Sequence, residues 1–162
     1  MHRGVKVALL FLCTILLAAC AGAGKPCSDL LQDFCREYEN LPTGHCYYRE
    51  AEEWEKEALP TDMASILFTE DNGENAFSLC TDYAIFLSSA YGGGEAAFLR
   101  ADSQGDALRL TEMCTARIAR VGHTLPGTPI TQGACVLRHG PYVVLLMMPN
   151  NEEAKEVCHA LF

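Results

Sequence analysis

The chain has 162 residues, of which 49% are hydrophobic, and a formal net charge of -9. That length allows one domain with at most a small appendage, and that apolar content supplies a core, which excludes a disordered polypeptide. The acidic balance disfavours nucleic acid and anionic lipid headgroups as partners of the folded part.

The first block opens with Arg3 and Lys6, continues as an uncharged apolar run from Val7 to Leu17, and ends in small residues. The run is shorter than the roughly 20 apolar residues that span a bilayer as a helix. Basic, apolar and small segments in that order describe an export signal, expected over residues 1–19. A buried helix of a cytoplasmic domain would be polar on one face, and from residue 7 to 20 the only polar side chain is Thr14. Leu17, Ala18, Ala19 and Cys20 resemble the lipobox of bacterial lipoproteins, in which a leucine and two small residues precede the cysteine of the mature N-terminus. The resemblance implies diacylglycerol on the Cys20 thiol, cleavage between Ala19 and Cys20, and a fatty acid such as palmitate on the new amine. Two or more chains make a stable anchor where one is marginal. The alternative is an ordinary signal peptidase acting after Ala21 and Ala23, which would discard Cys20. Both readings place the domain outside the cytoplasm, and the lipobox reading tethers it to the extracytoplasmic face of the cell membrane. Loss of Arg3 and Lys6 leaves 10 of the 12 basic residues against all 21 acidic ones, a charge of -11.

Cys20 and the linker run to Lys25, and a single domain is expected over 26–162. Leu30, Leu31, Phe34, Cys35 and Tyr38 recur at helical spacing, with Ser28 placed to cap the start. NLPTG breaks that helix and YYREAEEWEKEAL resumes helical composition up to Pro60, so residues 27–59 read as a helical hairpin with an acidic face. MASILFT is a short apolar stretch before the turn signal Asn72-Gly73. TDYAIFLSS and EAAFLRA, joined by AYGGG, read as a strand pair. DALRLTEMCTARIARVG is a helix with Ala107, Leu110, Cys114, Ile118 and Val121 inward and Arg109, Glu112, Arg117 and Arg120 largely outward. ACVLRH and YVVLLMMP are strands separated by Gly140-Pro141, and PNNEEAKEVCHALF supplies asparagine caps, first-turn acids and a final helix. The expectation is an α+β fold, the helical hairpin followed at 61–162 by a small mainly antiparallel sheet with helices on one face. The region from TDYAIFLSS to GPYVVLLMMPNNEEA resembles small lipoproteins of Gram-positive anaerobes that carry a domain of unknown function. That resemblance implies fold and location only, and it does not extend to the hairpin.

Beyond Cys20 there are seven cysteines, Cys27, Cys35, Cys46, Cys80, Cys114, Cys135 and Cys158, and an odd number leaves one thiol unpaired in an oxidising compartment. Cys27 and Cys35 in one helix stand about 12 Å apart along the axis, beyond the roughly 7 Å between Cα atoms that a disulfide tolerates. Cys35 and Cys46 flank the NLPTG turn, and they are the expected disulfide. Metal sites draw on C-x(2 to 4)-C or H-x(3 to 5)-H spacings, and the adjacent pairs His45-Cys46 and Cys158-His159 offer neither, so no metal and no cofactor are expected. No C-x-x-C, G-x-S-x-G or H-E-x-x-H occurs. TEDNGEN fails as a calcium loop, because aligning Gly73 puts Phe68 and Leu79 at ligand positions. Gly92 to Gly94 read as a loose turn, and the acidic residues around Trp54 as a solvated or partner-facing surface. The expected function is a membrane-anchored extracytoplasmic binding or interaction module without catalytic residues. Its partners are the membrane, through the Cys20 lipid, and an envelope protein or ligand. The competing class is a thiol-dependent or metal-binding envelope protein.

Overall fold

The computed structural model describes residues 24–52, 55–69 and 75–162. In chain order they form α1 (Cys27–Glu37), β1 (Gly44–Tyr48), α2 (Thr61–Phe68), a single 3-10 turn (Ala76–Leu79), β2 (Cys80–Ser88), β3 (Glu95–Ala101), α3 (Gln104–Thr124), β4 (Cys135–His139), β5 (Tyr142–Met147) and α4 (Asn151–Ala160). The strands make one open sheet in the order β1-β2-β3-β5-β4, with every neighbouring pair antiparallel. The described residues are therefore α+β, with a five-stranded antiparallel sheet and four α-helices.

Helices cover both faces of this sheet, not one as expected. Ala84, Phe86, Ala96, Phe98, Val144 and Leu146 face α1 and α4, while Ile85, Ala97, Leu99, Val143 and Leu145 face α2, the 3-10 turn and α3. The cause is local: β2, β3 and β5 are nearly unbroken apolar runs, and a strand with no polar alternation has no face to give to water. Below, face A is the α1/α4 side and face B the α2/α3 side.

The first arm of the expected hairpin is α1, but residues 44–48 of the second arm form the edge strand β1, with Cys46 opposite Phe86. Aromatic side chains suit a half-covered pleated surface, and Gly44 allows close approach, since a Cβ there would lie 2.4 Å from the Leu87 carbonyl oxygen. After Tyr48 the described residues turn: Tyr48 N–H donates to Glu57 O at 2.9 Å, and Glu55 N–H to Glu52 O at 2.8 Å. Ser28 is not the cap of α1. The helix starts after Pro26 with no side-chain cap, and the Cys27 N–H donates instead to Asp82 Oδ2 at 2.8 Å, which ties the helix start to β2. The caps expected downstream are present, with Asn150 Oδ1 accepting from the Glu153 N–H at 3.3 Å.

Candidate functional site

Face B is open at one end of the sheet. There α2, the β2–β3 turn, the start of β3 and the last turns of α3 enclose a groove of about 630 Å³, within the range of roughly 300–1,000 Å³ typical of small-molecule sites. Met63, Leu67, Val121, Leu125, Ile130 and Met147 supply apolar wall, and Ile66 and Tyr91, 70% and 84% exposed, stand at the rim. Two turns shape it. Gly92 and Gly94 take φ of +70° and +127°, and a Cβ on Gly94 would approach the Met147 carbonyl oxygen to 3.2 Å, so the expected loose turn is a tight one that needs glycine. The segment carrying Ile130 is held by buried Asn151, whose Nδ2 donates to Gln132 O at 2.8 Å and Ile130 O at 3.2 Å while its Oδ1 accepts from the Met148 N–H at 2.9 Å.

Glu95 and Arg117 lie among the groove residues as an ion pair. Arg117 donates from Nη2 at 2.9 Å and from Nε at 3.2 Å, both to Glu95 Oε2, while Glu95 Oε1 is buried with no hydrogen-bond partner. Burial pushes the Glu95 carboxyl up, against the opposing pull of Arg117 and then Arg120. Arg120 donates to Leu67 O at 2.8 Å and to Thr69 O, so a cation satisfies carbonyls at the C-terminal end of α2. Arg109 and Glu112 are exposed as expected, but Arg117 and Arg120 turn inward, because the end of α3 has polar groups beneath it where its middle has core.

On face A, α1 carries Cys35 and β1 carries Cys46. Gln32 and Cys35 are three apart on α1, and Cys46 and Tyr48 two apart on β1, spacings that put each pair on one side of its element. Cys35, Cys46 and Tyr48 all pack, partly buried, against the face A core. The neighbouring Cys35 thiol draws the Cys46 thiol down against its burial, while Cys46 and burial push Cys35 up. Tyr48 is pushed up to about 12, by burial first and the nearby Cys46 thiol second. Both cysteines of the expected disulfide are half-buried free thiols in this structure.

The other cysteines differ. Cys27, Cys80, Cys114 and Cys158 are buried, and burial raises each thiol, to about 12 for Cys80 and Cys158. The adjacent pairs separate as their neighbours in sequence must: His45 lies opposite Leu87 where Cys46 lies opposite Phe86, and His159 stands edge-on to His139, ring centroids 5.3 Å apart, while Cys158 packs in the core. Among the described residues, no three His, Cys, Asp or Glu side chains form a metal-binding group, and no helix is long and apolar enough to cross a membrane. Cys20, Trp54 and the Asn72-Gly73 turn lie outside the described residues. The sequence reading missed Glu95 and the inward Arg117; the available signal was a lone acid opening the otherwise apolar strand EAAFLRA. No family model, curated protein or solved structure matches the chain.

Proposed function

We propose that this protein is a lipid-anchored extracytoplasmic binding module, tethered to the cell membrane through Cys20, which holds a small, mainly apolar ligand in the face B groove. The observation that carries the binding role is the groove itself, an apolar-walled space with one buried ion pair and an unpartnered carboxylate oxygen. Buried polar atoms are nearly always hydrogen-bonded, so Glu95 Oε1 favours a ligand bearing one N–H or O–H on an apolar body. The lipobox resemblance supports the tether and the extracytoplasmic location, and the resemblance to lipoproteins of Gram-positive anaerobes agrees with both.

The layout supports the same reading. The described chain begins against the Tyr142 end of the sheet, where the Tyr142 hydroxyl donates to Lys25 O at 2.6 Å. Glu95 pairs with Met147 at the other end, five residues along β3 from Arg100, which pairs with Tyr142. At about 3.4 Å per residue that separates tether and groove by about 17 Å along the strands, and they lie towards opposite faces. A lipid on Cys20 thus leaves the groove open to the medium.

Two measurements test this. Intact mass of membrane-extracted protein is expected to show the acylated Cys20 N-terminus, with Cys20→Ala releasing the domain from the membrane; an unlipidated mature N-terminus at Gly24 would sink the anchor. N-phenylnaphthylamine, an apolar fluorophore with a single N–H, is expected to brighten on binding and to be lost in Val121→Arg, which fills the groove. Equal fluorescence in both proteins would remove the binding role.

A further inference from the structure

We propose that the face B groove selects an uncharged head, a hydroxyl or an amide N–H on an apolar body, and rejects the amine and the carboxylate of the same body, with Glu95 as the residue that sets the choice. This selectivity rests on the groove being the ligand site proposed above, and it adds the charge class of what enters. Among the described residues, Glu95, Arg117 and Arg120 are the only charged side chains lining the groove. Nearly every polar group there is engaged. Arg117 turns both Nε and Nη2 to Glu95 Oε2, and Arg120 turns its two terminal nitrogens to Leu67 O and Thr69 O. Ser88 Oγ donates to Thr43 O at 3.2 Å and accepts from the Ala90 N–H at 3.1 Å, and Thr124 Oγ1 donates to Arg120 O at 3.1 Å. Glu95 Oε1 is the exception, buried and unpartnered on a carboxylate whose other oxygen is held by Arg117.

An acceptor so placed calls for a donor and not for a charge. The Arg117 cation, 2.9 Å from Oε2, already compensates the carboxylate, and Arg120 brings a second positive charge to the same end of α3. An ammonium head would add a third cation to one buried anion, and a buried charge without its own partner is costly. A carboxylate head would set two acceptors against each other with no proton between them, while Arg117 and Arg120 are turned to Oε2 and to the α2 carbonyls. A neutral O–H or N–H satisfies Oε1 without burying a new charge, and its apolar body lies against Leu67, Val121 and Ile130.

Displacement of N-phenylnaphthylamine from the full chain tests this, each titration read against a protein-free blank of the same composition. The competitors are 1-octanol, octanamide, 1-methoxyheptane, octylamine and octanoate, and at about pH 8 the amine is a cation and the acid an anion. 1-Methoxyheptane matches 1-octanol in heavy atoms and lacks the donor. 1-Octanol and octanamide are expected to displace the probe at concentrations about thirtyfold lower than the ether, the equivalent of a hydrogen bond to a charged acceptor. Octylamine and octanoate should be weaker than 1-octanol by at least about tenfold. In Glu95→Gln the amide oxygen faces Arg117 and the amide N–H faces the ligand, so the preference for alcohol over ether should fall to within about twofold, and octanoate should gain. Circular dichroism checks that the variant is folded, and the order of competitors on the wild type decides the matter if it is not. Equal displacement by 1-octanol and 1-methoxyheptane, tightest binding by octylamine or octanoate, or a preference that survives in folded Glu95→Gln would overturn the selectivity and leave the groove a binding site. A probe that does not brighten, or that brightens equally with Val121→Arg, would remove the groove and its selectivity together.

Discussion

The two faces of the sheet are covered with equal completeness in the middle and differently at their ends. On face A, α1 and α4 lie side by side, and the polar groups at their ends find partners. The Tyr38 hydroxyl accepts from the Asn150 N–H at 2.9 Å, and Glu153 Oε1 accepts from the Glu39 N–H at 2.8 Å. On face B the 21-residue α3 crosses nearly alone, with the short α2 and the 3-10 turn along its flank. Where α3 overruns the sheet, a groove opens and a carboxylate is left half-satisfied. The difference teaches that a closed face is built for stability, while an under-covered one keeps a polar pair at a cost and gains room for a ligand.

The largest effect that tests this contrast is on face A. Phe34 is fully buried, stacked on Tyr38 with centroids 5.4 Å apart and tilted against Phe98 at 5.7 Å. Phe34→Ala is expected to cost about 4 kcal/mol, from lost burial plus the cavity left behind, read by urea denaturation. A cost near 1 kcal/mol would mean that α1 and α4 collapse into the space and that face A is not tightly closed.

Next comes the ion pair. Arg117→Met leaves Glu95 buried without its cation, and breaking such a pair by removing one partner costs about 3 kcal/mol at neutral pH. The pH dependence has a definite sign. Because the folded protein holds the Glu95 proton more tightly than the unfolded chain does, this group favours folding below the ordinary carboxylate range. That advantage disappears as pH rises through the elevated folded value. Without Arg117 the carboxyl rises further, so the deficit of the variant should shrink in acid and grow towards neutrality. A deficit independent of pH would show that Arg117 acts through packing of its stem and not through Glu95.

Asn151→Ala follows, at about 2 kcal/mol, since it removes the side chain that bonds the Met148 N–H and the carbonyls of Ile130 and Gln132 and leaves buried groups unpartnered. It should also weaken fluorophore binding, because the segment it holds carries Ile130 into the groove. Lost stability with unchanged binding would separate that loop from the site.

Legibility in the sequence divides along the same line as the two faces. The strand pairs, α3 and the caps of α4 were readable because period, turn residues and capping residues are local signals. The uninterrupted apolar runs of β2, β3 and β5 signal that both faces are covered, whereas short connections between antiparallel strands suggest a one-sided sheet; the apolar runs decide, because a strand without polar alternation has no face to give to water. β1 was masked by the glutamate-rich stretch after it: REAEEWEKEAL has high helix propensity, whereas Gly44 to Tyr48 is strand because Gly44 lets it sit against β2, a tertiary fact. Cys35 and Cys46 flank one turn in the sequence and both pack against the face A core, whereas Cys20 lies outside the described residues. The groove was illegible because its parts come from residues 63–67, 87–95, 117–130 and 147, and no local pattern announces that an arginine on an amphipathic helix will turn towards an acid 22 residues away in the chain.

The smallest expected effect on stability falls on the groove rim. Ile66 is 70% exposed on α2, and its neighbours Leu67 and Phe68 carry the packing of that helix against face B. Ile66→Ser removes little buried area, so its change in unfolding free energy should stay within about 0.5 kcal/mol. A lone exposed isoleucine needs no explanation, but one standing over an apolar groove does if ligands meet it on entry. Fluorophore affinity should then fall by about fivefold, the equivalent of roughly 1 kcal/mol of apolar contact. The pairing of the two readouts matters: Phe34→Ala should lower stability and leave the affinity of the remaining folded protein intact, and Ile66→Ser should do the reverse. If both variants moved both quantities together, the closed face and the open one would be a single cooperative core, and the groove would be packing left incomplete instead of a site.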